Sequence, residues 1–333
     1  MSHRFPLKEI ALQAGLSLAT VDRAVHGRAH VSAQTQRRVA DAIAELEAQE
    51  GQLAARGRRL FVDFIVEAPK RFSHEVRAAV LAAIPGIGPA VIRPRFHFAE
   101  IMQPQTVVDI LTSLKARGSS GACLKVRDDA AIRQAMATLA LPMVTMFTDI
   151  GQSPNRLAYV GLNNPAAGAT AAYLIAQSAP GGGTILTTQS QASFQGEGER
   201  ALAFAAALPP GFRVVDATGG AGLPHDTAQQ VRRAVAPLDD LVAVYSMGGG
   251  NGAVLQELDR AGLHPRVFIA HDLDAENRIL LRQGRLNFVL HHDLQADVGL
   301  ALNHIIAAHR LRPPMGPAQM AGVQIITPAN MLG

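Results

Sequence analysis

Hydrophobic residues at helical spacing predict three short helices within residues 7–46. The apolar stripes comprise Leu7, Ile10, Ala11 and Ala14 in the first helix, Val21, Ala24 and Val25 in the second, and Val39, Ala42, Ile43 and Leu46 in the third. Gly15 and Gly27 would end the first two helices. Ser17 and Ser32 would cap the second and third, because a serine oxygen accepts hydrogen bonds from the free amides of a first turn. A short helix, a glycine-containing turn and a second short helix are typical of the helix-turn-helix, which places its second helix in the DNA major groove.

Beyond residue 60 the pattern changes to short apolar runs that alternate with helical stretches. The runs are rich in β-branched residues and cover 60–66, 121–126, 143–147, 184–188, 241–245, 267–270 and 286–290. The helical stretches include 75–84, 130–139, 166–178, 198–208 and 228–235. Alternation on this scale predicts an α/β fold in which parallel strands carry helices on both faces, in one large sheet or in two smaller ones.

The N-terminal residues also contain a specific sequence motif. Its members are Ile10-Ala11, Ala14-Gly15-Leu16-Ser17, Thr20-Val21-Asp22-Arg23, His30-Val31-Ser32 and Thr35. This motif closely resembles the headpiece of lactose-repressor-type (LacI/GalR) bacterial transcriptional regulators; the alternative is another all-helical domain built from three amphipathic helices. The resemblance implies that Leu18, Ala19 and Arg23 occupy base-reading positions. The residues expected to bind DNA are Ser17, Leu18, Ala19, Thr20, Arg23, His26, His30 and Leu53.

Two positions of the motif depart from the family pattern. Pro6 stands where these headpieces usually carry a capping threonine, and proline suits a first helical turn because it has no amide to satisfy. Asp22 stands where they usually carry serine. A carboxylate near phosphates weakens DNA binding unless it is turned away or paired, for example with Arg23.

Charge agrees with a DNA-binding N-terminus. Residues 1–60 hold 9 Lys and Arg against 6 Asp and Glu, whereas the remaining chain holds 22 against 21. Most of the formal net charge of +4 therefore lies in the first fifth of the chain. A concentration of arginines beside a helix-turn-helix is typical of phosphate binding.

The segment 47–60 departs most from the family. It lacks the Tyr-x-Pro-Asn usually found after the third helix and is about three residues short. Its Leu53-Ala54-Ala55 run can form a hinge helix that drives a leucine into the minor groove, or the segment can be a solvated linker whose glycines limit helix formation. The expected domains are a headpiece at 1–46, a hinge or linker at 47–60, and a two-lobed effector-binding and dimerisation domain at 61–333.

Residues 158–164 look like the crossover between the lobes of a periplasmic-binding-protein-like (type I) sensor, and this looser resemblance covers nearly all of residues 60–333. Ligands of such folds bind at the carboxyl ends of the strands, between two lobes. The candidate effector-binding residues at these ends are Phe72, Asp149, Asn163, Arg200, Asn251, Asp272 and His292. The resemblance implies that Phe72 stacks on a sugar, that Arg200 and Asp272 bind hydroxyls, and that His292 replaces a frequent glutamine. A structural role for each residue is the alternative.

The composition predicts a globular protein without a membrane span or an intramolecular disulfide. The 333 residues are 48% hydrophobic and 17% charged, enough for a large core, and no run of about 18 apolar residues predicts a membrane span. No secretory segment precedes the headpiece, so we expect a cytoplasmic protein. The single cysteine, Cys123, excludes an intramolecular disulfide and is expected to be a buried strand thiol.

The sequence segments that could suggest catalysis lack the residues that a catalytic motif needs. The glycines at 181–183 precede a strand, and those at 248–252 lack the Lys-Ser/Thr of a nucleotide loop, although their amides can hold an anion or a hydroxyl. His291-His292-Asp293 has no accompanying metal-binding motif, and nothing resembles a nucleophile elbow. We therefore expect no enzyme activity, no cofactor and no metal.

Together these features predict a homodimeric, effector-responsive repressor that binds double-stranded operator DNA and controls uptake or catabolism of a sugar or sugar alcohol. The alternative is a cytosolic solute-binding or sugar-modifying protein whose headpiece has lost DNA binding. Asp22 and the shortened linker keep that alternative open.

Overall fold

The computed structural model describes residues 4–28, 31–55, 58–151 and 153–331. Its N-terminal part contains the predicted helices α1 (Leu7–Ala14), α2 (Leu18–Val25) and α3 (Ala33–Ala55). Gly15 ends α1 in the left-handed conformation, and the Ser17 Oγ accepts a hydrogen bond from the Thr20 amide at 3.2 Å. The three helices enclose a small core of Phe5, Ile10, Ala11, Val21 and Val39.

The third helix is longer than the sequence analysis predicted. It continues without a break through residues 47–55, which were expected to form a separate hinge helix or a linker. These residues are mostly Glu, Gln, Ala and Leu, which are strong helix formers, and one interior glycine costs only about 1 kcal/mol of helix stability. Leu53 lies in this extension, but its side chain falls outside the described residues.

Lobe 1 is a parallel five-stranded sheet, in the order β2-β1-β3-β4-β5, with helices on both faces. Its elements are β1 (Arg59–Glu67), α4 (Lys70–Ala83), a 3-10 turn (Ile84–Gly86), β2 (Val91–Ala99), α5 (Pro104–Leu114), β3 (Gly121–Lys125), α6 (Ala130–Thr138), β4 (Met143–Met146) and β5 (Arg156–Val160). Buried apolar residues fill both faces of the sheet. Cys123 is buried in β3, as predicted, and burial raises the pKa of its thiol.

Lobe 2 is a six-stranded sheet in the order β11-β10-β9-β8-β6-β7, in which only β11 is antiparallel to its neighbour. Its elements are α7 (Asn164–Ser178), β6 (Gly183–Thr188), α8 (Gln195–Ala207), β7 (Phe212–Asp216), α9 (Pro224–Val235), β8 (Leu241–Ser246), α10 (Asn251–Ala261), β9 (Val267–His271), α11 (Ala275–Arg282), β10 (Phe288–His291) and β11 (Gln324–Ile326). The structure thus decides between the two arrangements that the pattern left open, in favour of two sheets.

The chain passes between the lobes three times. It leaves lobe 1 after β5, returns after β10 as α12 (Leu294–Ala308), and leaves again toward β11. Helix α12 packs against α4, β4 and β5, and its apolar residues are buried in the core of lobe 1. A bridge between Leu162 and Ala321 joins the first and third passages. These passages place the carboxyl ends of both sets of parallel strands opposite each other across one cleft.

Candidate DNA-facing helix and interlobe cleft

Helix α2 presents its predicted DNA-binding side chains to solvent. Leu18 is 53% exposed, and Ala19 and Arg23 are also exposed, whereas Val21 on the opposite face is fully buried. The Arg23 Nε donates to the Ala19 carbonyl at 3.1 Å, which leaves the outer end of its guanidinium accessible. Ser17 and Thr20 share a 2.8 Å hydrogen bond at the start of the helix. The helix therefore buries one face in the core of the headpiece and exposes the other face to solvent.

Asp22, the departure from the family pattern, is paired. Its carboxylate lies 3.1 Å from the His26 Nδ1 and 3.0 Å from the Arg28 Nη1. The partners are thus His26 and Arg28, and not the Arg23 considered from sequence. Pairing offsets the negative charge on the side of α2 that would approach phosphates. Of the other predicted DNA-binding residues, His30 lies outside the described residues.

A cleft between the lobes is lined by residues at the ends of strands in both sheets. Lobe 1 contributes Glu67, Phe72, Lys125 and Phe147, and lobe 2 contributes Arg200, His271 and Asp272. His292 lies where the chain passes back to lobe 1. The cleft wall is therefore built of charged groups, histidines and aromatic rings.

Direct contacts across the cleft show that the lobes are closed. The Arg71 Nη1 on α4 donates to the Gly222 carbonyl at 2.8 Å, and its Nε lies 3.1 Å from the Asp274 Oδ2. The Gly196 amide donates to the Thr148 Oγ1 at 3.1 Å. In addition, the Lys125 ammonium lies 4.3 Å from the centre of the Phe194 ring. Polar and cation–π contacts such as these join the lobes around the cleft.

Glycines permit this close approach. A Cβ at Gly249 would lie 2.0 Å from the Arg71 Nη2, and Gly249 has a φ of +80°. The glycines at 248–252 follow β8 and begin α10, as the sequence indicated. In the structure this loop receives the Arg71 guanidinium of the other lobe.

The charged groups deep in the cleft are held by hydrogen bonds to neutral partners. Arg200 is 6% exposed, and its Nε donates to the Asn164 Oδ1 at 2.8 Å. The Glu197 carboxylate accepts from the Ser190 amide at 2.6 Å and from the Ser190 hydroxyl at 2.5 Å, while burial raises its pKa. The Lys125 Nζ donates to the Glu67 carbonyl at 3.0 Å, and burial lowers the pKa of this lysine. Each charge is therefore fixed in position before a ligand arrives.

The acidic and histidine side chains of lobe 2 complete the wall. Asp272 has a φ of +63°, and its carboxylate lies 4.0 Å from the His292 Nε2. The other ring nitrogen of His292 lies 2.6 Å from the Asp297 Oδ2. Burial is the main cause that raises the pKa of Asp274 to about 6, although Arg71 opposes it.

Four of the seven predicted effector-binding residues line the cleft: Phe72, Arg200, Asp272 and His292. Phe72 packs edge-on against Phe147, with ring centres 5.5 Å apart. Direct contact of the four residues with an effector stays a prediction.

The other three residues, Asp149, Asn163 and Asn251, are not among the residues that line this cleft, and their contact with an effector stays a prediction. Asp149 pairs with Arg156 and accepts from the Thr145 Oγ1 at 2.6 Å. Asn163 caps α7, its Oδ1 accepting from the Ala166 amide at 3.0 Å. Asn251 is buried and donates to the Asn277 Oδ1 at 2.7 Å. These polar side chains satisfy loops and helix ends, which is the structural role that strand-end position alone could not exclude.

Sequence reasoning missed several residues of the wall. They are Arg71, Lys125, Ser190, Glu197, His271 and Asp274. A signal existed for two of them, because Lys125 and His271 are polar residues that end otherwise apolar strands. Within the described part of the chain, no three His, Cys, Asp or Glu side chains meet as a metal site. None of the described helices has the length and apolarity needed to cross a membrane.

Comparisons with solved structures identify the same two-lobed fold. A glucose-galactose binding protein from Geobacillus stearothermophilus matches with a TM-score of 0.72 and 17% identity, covering 82% of this chain and 99% of that one. A solute-binding protein from Burkholderia graminis in complex with D-arabinose matches with a TM-score of 0.72 and 21% identity, covering 83% and 97%. A protein from Bacteroides fragilis described as a LacI transcriptional regulator matches with a TM-score of 0.72 and 13% identity, covering 82% and 98%.

Family models match both parts of the chain, although no curated protein sequence matches it. The model for the periplasmic binding protein domain matches residues 98–307, and the model for bacterial regulatory proteins of the lacI family matches residues 6–47. The headpiece motif, the exposed face of α2 and the two-lobed cleft agree with these matches. The chain therefore belongs to the periplasmic binding protein domain family and carries, at residues 6–47, an N-terminal domain of the lacI family of bacterial regulatory proteins.

Proposed function

We propose that this protein is a homodimeric repressor that binds operator DNA through α2. Binding of a sugar or sugar alcohol would lower or raise its affinity for the operator. The regulated genes would serve uptake or catabolism of that compound. The observation that carries the proposal is the interlobe cleft, in which buried donors, acceptors and aromatic rings surround one small space.

The chemistry of the cleft fits a neutral polyhydroxylated ligand. Each hydroxyl both donates and accepts, so its binding site needs both kinds of partner. Arg200 and Lys125 offer donors, and Asp272 offers acceptors. Aromatic rings such as Phe72 suit the apolar face of a sugar. Two of the proteins with the same fold bind glucose and galactose or D-arabinose, which supports this ligand class.

On the DNA side, the exposed residues of α2 suggest how bases are read. Leu18 and Ala19 cannot make bidentate hydrogen bonds, so they would contact thymine methyl groups or read shape. Arg23 would supply the polar contact, to guanine, since its outer guanidinium is accessible. Two such headpieces in a symmetric dimer would bind a near-palindromic operator.

The proposed division of the chain is a headpiece at 1–46, a connecting segment at 47–60 and an effector-binding and dimerisation domain at 61–333. Because helix α3 extends through residue 55, most of the connecting segment is helical. A continuous helix transmits rotation more directly than a flexible linker would. We propose that lobe movement changes the separation of the two headpieces through this segment. The coupling can be only as large as the preference of the effector for one lobe arrangement.

Two measurements test this function. A fluorescence-anisotropy titration of the upstream region of the gene, at stated salt and with random DNA as the control, should show specific binding. A thermal-shift panel of pentoses, hexoses, polyols and inositols should give one clear stabilisation that grows with ligand concentration. That same ligand should change the affinity for the operator.

The outcomes separate the alternatives. Ligand binding without specific DNA binding would indicate a solute-binding protein with a degenerate headpiece. Specific DNA binding with stabilisation by a nucleobase or amino acid, and by none of the sugars, would refute the sugar assignment alone.

A further inference from the structure

His271 is a buried histidine in the cleft wall with an unused ring nitrogen. It ends strand β9, is 3% exposed and lines the cleft. Its Nε2 lies 2.8 Å from the Tyr245 hydroxyl, on the side of the protein core. Its Nδ1 is buried and has no hydrogen-bond partner among the described residues. A buried polar nitrogen without a partner is uncommon in native proteins and calls for an explanation.

The hydrogen bond with Tyr245 bears on which nitrogen of the neutral His271 ring carries the hydrogen. The tyrosine is fully buried, and burial raises the pKa of its hydroxyl, so the hydroxyl stays protonated. The His271 Nε2 is the acceptor that the described part of the chain offers to this proton. If the hydroxyl donates to Nε2, Nε2 carries no hydrogen and the neutral ring has its hydrogen on Nδ1.

The surroundings keep the ring neutral. Burial, Arg200 and His292 all lower the pKa of His271 well below its usual value. In that tautomer, the unused Nδ1–H is a hydrogen-bond donor, and the lowered pKa keeps the ring neutral as the pH varies about neutrality. A buried donor left unsatisfied in this way is destabilising, and a ligand oxygen would satisfy it.

We propose that His271 binds the effector by donating from Nδ1 to a ligand oxygen, and that Tyr245 is the positioning residue that holds this tautomer. The inference rests on the proposed function, because it assigns a specificity contact within the same cleft. The ligand must offer an acceptor oxygen, such as a hydroxyl, at this point. A deoxy analogue that lacks this oxygen would leave the donor unpaired and would bind more weakly.

The first test needs no ligand. Long-range ¹H–¹⁵N spectra of the full chain labelled in histidine report the tautomer of each ring. We expect His271 to be neutral with its hydrogen on Nδ1, assigned by the loss of its signals in His271→Asn. In Tyr245→Phe the Nε2 loses its donor, so the Nε2–H form should appear. A wild-type ring with its hydrogen on Nε2 would overturn the proposal.

The second test measures binding of D-glucose, D-galactose, D-arabinose, xylitol and myo-inositol by calorimetry. The double variant Tyr245→Phe/His271→Leu avoids an unpaired tyrosine hydroxyl, and it should bind the best of these probes at least 10-fold more weakly than the wild type. His271→Asn, whose side-chain amide can still donate from a position near Nδ1, should retain more affinity than the double variant. The matched control is His304→Leu, because His304 is also buried with an unpartnered nitrogen but does not line the cleft.

Unchanged affinity in the double variant would refute the contact. An equal loss in His304→Leu would also refute it, since any buried histidine would then give the same effect. If none of the probes binds the wild type, the proposed sugar function fails, and the tautomer measurement alone decides whether His271 presents a donor.

Discussion

Helix α2 and the interlobe cleft use the same kinds of side chain in opposite ways. On α2, Asp22 pairs with His26 and Arg28 while all three side chains remain at least 31% exposed. In the cleft, Arg200 is 6% exposed and its partners are buried with it. Exposed pairs contribute little to stability, whereas breaking a buried charged network is costly. Function and folding stability are therefore separable on α2 and coupled in the cleft.

The largest expected effect is that of Arg200→Ala. The substitution leaves the Asn164 Oδ1 without its donor and removes a positive charge near Glu197. We expect the free energy of unfolding to fall by about 3 kcal/mol in urea denaturation, together with loss of the effector response. Arg285→Ala, which breaks an exposed pair with Asp259, is the control and should change stability by less than about 0.5 kcal/mol. If both variants lost the same free energy of unfolding, burial would not determine how much such a contact contributes to stability.

Arg23→Ala should affect binding and leave folding intact. We expect specific operator affinity to fall by roughly 1–3 kcal/mol, because a bidentate base contact is lost. The melting temperature should not change, since Arg23 is exposed and donates to the Ala19 carbonyl of its own helix. Anisotropy titrations on operator and random DNA measure the effect. Equal weakening on both would show that Arg23 contacts phosphate only.

Arg71→Ala tests whether contacts across the cleft favour the closed lobes. The variant loses a hydrogen bond to Gly222 and an ion pair with Asp274. Charged hydrogen bonds contribute about 1.5–3 kcal/mol, so effector affinity should fall by about 10-fold. Calorimetry measures the affinity, and small-angle scattering without ligand should show a larger radius of gyration. An unchanged radius and affinity would mean that Arg71 does not control closure.

Asp274 should make the stability of the cleft depend on pH. Its pKa is raised in the folded protein from 3.8 to about 6, so the folded state binds this proton more tightly than the unfolded state. The resulting stabilisation is complete below the unfolded pKa and is lost as pH rises through about 6. Between pH 5 and pH 7.5, the wild type should lose roughly 1 kcal/mol of stability relative to Asp274→Asn. Parallel stability curves for the two proteins over this range would contradict the shift.

The smallest expected effect is that of Asp22→Asn. The carboxylate is already paired, so its removal should tighten DNA binding only a few-fold, by about 0.5–1 kcal/mol. Freed Arg28 would also steepen the salt dependence, because one more cation can then contact a phosphate. Titrations at several salt concentrations measure both changes. Weaker binding by Asp22→Asn would show that the carboxylate itself contacts DNA.

Local sequence determined the headpiece and most of the buried strands. The Ser17 hydroxyl caps α2 by accepting a hydrogen bond from an amide three residues away, so the interaction can be predicted from the sequence itself. Buried strands such as β3 and β9 are continuous apolar runs, and they lie where the pattern predicted them. The edge strands were missed, because they are partly exposed and their apolar runs are interrupted by polar residues. Strand β2, with Arg93, Pro94 and Arg95, is an example.

Only the tertiary structure decided which strand-end residues meet in the cleft. Asp149 and Asp272 both follow apolar strands, yet Asp149 pairs with Arg156 while Asp272 faces the cleft. Whether a strand-end side chain is held by a protein partner or faces the cleft depends on how the strands pack. The spacing of residues does not reveal this, even for Arg156, which lies only seven residues from Asp149. The same holds for Arg71, which reaches Gly222 across 151 residues of sequence. The sequence by itself determined the two classes of domain and their order, because capping and apolar periodicity are local. The wall of the cleft, by contrast, depends on how the two sheets are brought together.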